Sequence, residues 1–82
     1  MDDEESRLGQ RIRELRKQQK LSQTELAEKA DVALMTISRI ERGEHDPHMR
    51  TLVRISRALG VSVLGLLRLA GYSENEDAGA NS

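Results

Sequence analysis

The chain has 82 residues, 37% of them hydrophobic, with no Phe or Trp and one Tyr, which is enough for a single small domain with a thin core. Cysteine is absent, which excludes disulfides and thiolate chemistry, and no apolar run approaches the roughly 20 residues of a membrane span. The formal net charge of −1 hides an uneven distribution: residues 1 to 6 and 71 to 82 hold seven of the fourteen acids, while all thirteen Lys and Arg lie between 7 and 70, a segment of charge +6.

Met1 to Ser6 is acidic, unlike the positively led start of a signal sequence, and is expected to be a poorly ordered tail of a cytoplasmic protein. From Arg7, Leu8, Ile12 and Leu15 follow the i, i+4, i+7 spacing of one helical face, which predicts a first helix to about Gln19. Ser22 stands three residues before Glu25, the spacing at which hydroxyl and carboxylate satisfy each other's free backbone N–H groups, so a second helix starts there. It turns Leu26, Ala27 and Ala30 inward and breaks at Asp31. A third helix resumes from Ala33 on Ile37 and Ile40, and small Ala27 lets the two axes approach.

Gly43 suits the left-handed end of that third helix, and Glu44-His45-Asp46-Pro47 reads as a surface loop. A fourth helix is predicted from His48 or Met49 to Leu59, with Leu52, Ile55, Ala58 and Leu59 inward and Gly60 as its stop. Ser62 caps a fifth, Val63 to Ala70, before an acidic tail over residues 71 to 82. In this last helix Val63 and Leu67 suffice to close the domain. Leu64, Leu66 and Leu69 are left over, and a twofold homodimer would bury them.

Catalysis finds little support. His45 and His48 share a loop without further ligands at zinc spacing, no Ser/His/Asp set is arranged by a motif, and the glycines match no phosphate or dinucleotide loop. No catalytic residue, metal, cofactor or small-molecule ligand is therefore assigned. The third helix offers more. With Ile37 and Ile40 inward, its outer side presents Leu34, Met35, Ser38, Arg39 and Arg42 three and four residues apart. Such a helix fits the major groove of duplex DNA, where Arg39 can give two hydrogen bonds to a guanine and Leu34 and Met35 can touch thymine methyl groups. Thr36, Arg42, Arg50 and Thr51 are candidate phosphate contacts, which set register and salt-dependent affinity without choosing a sequence.

The segments Leu21-Ser22-Gln23, Leu26-Ala27, Ile37-Ser38-Arg39-Ile40-Glu41 and Ala58-Leu59-Gly60-Val61, with Leu15, Val32, Gly43 and Pro47, resemble the Cro and lambda-repressor-like, or XRE, family. The resemblance runs from Leu8 to Leu67. It implies an all-α, five-helix DNA-binding domain over residues 7 to 70 with the helix-turn-helix at helices two and three. It also implies base contacts at Leu34, Met35 and Arg39, a phosphate contact at Gln23, and a structural ion pair between Arg16 and Glu41. Two positions depart from the pattern: Asp31 replaces the usual turn Gly, and Ala33 the usual Ser or Thr cap. The expected function is a transcriptional regulator, a repressor that binds double-stranded DNA at a palindromic operator as a homodimer. A protein-interaction module, such as an antitoxin or adaptor gripping a partner through Leu34, Met35 and the last helix, is the alternative.

Overall fold

A computed structural model describes residues 3 to 71, with side chains from Arg7 onward. Five helices are present among them: α1 (Asp3–Gln18), α2 (Gln23–Ala30), α3 (Leu34–Glu41), α4 (Met49–Leu59) and α5 (Val63–Leu69). Helix α1 begins four residues before the predicted Arg7, so residues 3 to 6 are helical where a disordered tail was expected. Asp and Glu are favourable in the first turn of a helix, which is why an acidic start does not forbid one. The remainder of the two predicted tails, Met1, Asp2 and residues 72 to 82, lies outside the described residues.

Helix α2 packs on α3 and α4, α1 on α3 and α5, and α4 on α5. Between them Ile12, Leu26, Ile37, Ile55 and Leu66 are fully buried, and each contributes about 1.5–3 kcal/mol of transfer free energy. The fit is tight at Gly9 on α1, where an added Cβ would meet the backbone carbonyl oxygens of Ile40 and Glu41. Two small residues on the inner face of α2, Ala27 and Ala30, are buried where it meets its neighbours.

Four helix ends share one closure, in which two N–H groups beyond the helix turn back onto its last carbonyls. Helix α3 ends with Gly43 at φ 75° and N–H bonds from Gly43 to Ile40 and from Glu44 to Arg39. Helix α4 ends with Gly60 at φ 76° and the corresponding bonds from Gly60 to Arg57 and from Val61 to Ser56. The same left-handed position is filled by Asp31 after α2, at φ 59°, and by Lys20 after α1, at φ 61°. The turn at Asp31 therefore survives without glycine. Lys20 in this conformation was not foreseen, because nothing about a lysine marks it for a left-handed turn.

One assignment on α5 is corrected. Leu66, read from the sequence as a dimer contact, is fully buried in the chain's own core, together with Ala70. Val63, Leu66, Leu67 and Ala70 form the i, i+3, i+4, i+7 stripe that faces α1 and α4, with Val63 and Leu67 at its half-buried margins. Leu64 and Leu69 remain outside, 45% and 51% exposed.

Candidate nucleic-acid interface

Ser22 builds the α2 end of the interface as its sequence spacing requires. Its hydroxyl accepts from the Glu25 N–H at 3.0 Å, and the Glu25 carboxylate accepts from the Ser22 N–H at 2.7 Å. This capping box fixes where α2 starts, and so places Gln23 in its first turn. The Gln23 side chain is half-buried and already engaged: its amide donates to Oε1 of Glu41 at 3.0 Å.

The Glu41 carboxylate is also gripped by Arg16, through Nε to Oε2 at 2.7 Å and Nη2 to Oε1 at 3.0 Å. A third Arg16 nitrogen, Nη1, donates to the Leu21 carbonyl at 2.8 Å. Both ionic side chains are at least 90% shielded from solvent. The two-pronged pairing anticipated for these residues is thus present, and it ties α1, the start of α2 and the end of α3 into one frame. That frame orients α3.

Helix α3 turns Ile37 and Ile40 fully inward and leaves Leu34 47% and Met35 55% exposed. The Arg39 side chain is exposed and makes no hydrogen bond with any described residue, so its guanidinium edge is available. Ser38 is half-buried beside it. At the start of the helix Ala33 has the extended backbone of a cap, φ −69° and ψ 145°, but no side-chain acceptor. The Thr36 N–H turns back onto the Ala33 carbonyl at 3.0 Å, and no side chain caps the N–H groups before it.

The candidate phosphate contacts are not alike. Thr36 is half-buried on α3, and Arg50 and Thr51 stand exposed and half-buried on the first turn of α4. Arg42 is held by its own chain, with Nε donating to Glu44 Oε2 at 2.7 Å and Nη1 to Ser38 Oγ at 2.6 Å. The hydrogen bond from Arg42 holds the Glu44 carboxyl below its ordinary pKa, aided by the positive charges of Arg42, Arg39 and His45, and the same contact raises Arg42 above its own. Glu44 lies in the segment that the sequence predicts as a surface loop, and its place two residues beyond an arginine is the only trace of this role there. No group of three or more His, Cys, Asp or Glu is placed to hold a metal among the described residues.

Comparison with known proteins gives a consistent result. The helix-turn-helix family profile matches residues 12–66. The immunity repressor protein of Bacillus phage phi105 is 37% identical over 75 residues, 92% of this chain and 52% of that protein. The transcriptional regulator SinR of Bacillus subtilis is 46% identical over 61 residues, 73% of this chain and 55% of that protein. The chain thus spans about half the length of the curated relatives it matches. Among solved structures, SinR in complex with DNA has a TM-score of 0.70 at 46% identity, covering 73% of this chain and 97% of that one. The restriction-modification controller C.AhdI of Aeromonas hydrophila has a TM-score of 0.73 at 29% identity, covering 76% and 94%.

Proposed function

Since the chain belongs to the XRE family of helix-turn-helix domains, with the five-helix lambda-repressor-like fold, we propose that it is a sequence-specific DNA-binding transcriptional regulator that acts as a repressor. The observation that carries this reading is the two-sidedness of α3: Ile37 and Ile40 are sealed in the core, while Leu34, Met35 and Arg39 are open to solvent along the opposite side. An α-helix presenting such a side enters the major groove. SinR, a relative at 46% identity, has been solved in complex with DNA, which supports the same use here.

The base-reading set is Leu34, Met35, Ser38 and Arg39, with Arg39 bidentate to guanine and the two apolar residues against thymine methyl groups. Gln23, Thr36, Arg50 and Thr51 serve as phosphate contacts. Gln23 has a second amide N–H beyond the one committed to Glu41, and it stands in the first turn of α2, where the helix dipole favours an anion. The DNA-binding unit is residues 7 to 70. Two copies, joined through Leu64 and Leu69 of α5, read a palindrome whose half-sites lie about 34 Å apart. Occupation of an operator that overlaps a promoter represses without catalysis. No helix among the described residues is long and apolar enough to cross a membrane, and a cytoplasmic location follows from the role. Family membership does not favour the alternative of a pure interaction module.

Selection of bound fragments from a random duplex pool tests the reading. A sequence with two inverted half-sites is the expected product, and its affinity falls steeply with salt. Enrichment of no sequence would sink the assignment.

A further inference from the structure

We propose that Glu44 is a specificity-determining residue of the DNA-binding face, which holds Arg42 against Ser38 and off the phosphate backbone. This deepens the reading above and rests on it. Two residues apart in a helix, Arg42 and Glu44 would point away from each other. They meet because Gly43, at φ 75°, takes the chain out of the helix and folds it back, so that the Glu44 N–H bonds the Arg39 carbonyl at 2.9 Å. The Glu44 backbone is thereby anchored to the last turn of α3. Its carboxylate receives Arg42 Nε at 2.7 Å while Nη1 reaches Ser38 Oγ at 2.6 Å.

Two consequences follow for recognition. The Ser38 oxygen accepts from a cation, so its own hydrogen is directed elsewhere, and Ser38 meets the duplex as a donor to the purine N7, guanine O6 or thymine O4 acceptors of the major groove. Arg42 is withheld from the backbone as well. A phosphate that drew it away would leave the Glu44 carboxylate unpaired against a polyanion. Binding that relies on phosphates alone therefore loses a contact, whereas binding that reads bases keeps its donor. The outcome is a wider gap between chosen and random DNA.

The test compares the wild-type chain with Glu44→Gln on two duplexes of equal length, one selected by the wild type and one of random sequence. Both side chains of the pair are about half exposed, so the variant is expected to fold and melt like the wild type. Release of Arg42 should raise affinity for random duplex about two- to fivefold and steepen the slope of log K against log salt by about 0.9, one added phosphate contact. Affinity for the selected duplex should rise less. In an Arg42→Met background Glu44→Gln should no longer change the slope. An unchanged slope and ratio in the single variant overturns the inference, as does an equal gain without Arg42, which would reduce Glu44 to a repelling charge. A wild type that enriches no sequence overturns the DNA-binding reading itself, and this inference with it. Enrichment by the wild type with no response to Glu44→Gln overturns this inference alone.

Discussion

A Cβ at Gly9 would meet the Ile40 carbonyl oxygen and come within 3.1 Å of that of Glu41, both backbone atoms at the end of α3 that cannot rotate away. Gly9→Ala must push α1 off α3, and overpacking of this kind costs about 1–3 kcal/mol. A drop in the urea midpoint at unchanged slope is the expected result. The opposite sign is expected at Lys20, where a side chain occupies a left-handed conformation that costs an L-residue about 1–2 kcal/mol. Lys20→Gly should stabilise by about 0.5–1 kcal/mol, less than the strain removed because glycine adds entropy to the unfolded chain. Asp31→Gly should gain less, since Asp tolerates this region better. These residues also show what could be read in advance. Ser22 and Glu25 were legible because a capping box is local, three residues of spacing and two side-chain types. Gly9 and Lys20 were not. The first matters through a helix thirty residues away, and the second through a backbone angle its side chain does not signal.

At the scale of elements, the helix-turn-helix is held by an ion pair whose worth depends on how it is broken. Removing one partner leaves a buried charge uncompensated, so Arg16→Met or Glu41→Leu alone should cost about 3–5 kcal/mol. The double variant should recover most of that loss, though not all, because the Leu21 carbonyl still loses its donor. A denaturation cycle on the four proteins measures it, and additive losses would show that the two side chains do not act as a pair. Ala33, exposed and already in cap geometry at the start of α3, offers the reverse experiment. Ala33→Ser supplies the missing acceptor, should add about 1 kcal/mol, and should raise the melting midpoint by about 4–8 °C for a domain of this size. Helices α1 to α4 had been legible because apolar and polar positions alternate with a clear period. In α5 the sequence Val63-Leu64-Gly65-Leu66-Leu67 is apolar all round, so several helical phases fit equally well. Only packing against α1 and α4 selected Leu66 for the core.

For the molecule as a whole, that selection decides how the two copies of the proposed homodimer would meet. Leu64 and Leu69 are five positions apart, about 140° around a helix, so they flank α5 instead of forming one stripe. Each is already near half-buried, and covering the rest yields about 1 kcal/mol per side chain, or about 4 kcal/mol for a twofold pair. Association costs at least that much in lost freedom. In the proposed homodimer these leucines alone would therefore give only a weak association in solution, which two adjacent half-sites would stabilise by holding both copies close together. Binding to a palindrome should accordingly be cooperative, with far weaker binding to an isolated half-site. Leu64→Arg combined with Leu69→Arg leaves the core and α3 untouched, so half-site affinity should stay the same or rise slightly from added charge, while cooperativity on the palindrome disappears. Gel-shift titrations on the two duplexes separate these effects. Retention of full cooperativity by the double variant would mean that another surface joins the copies.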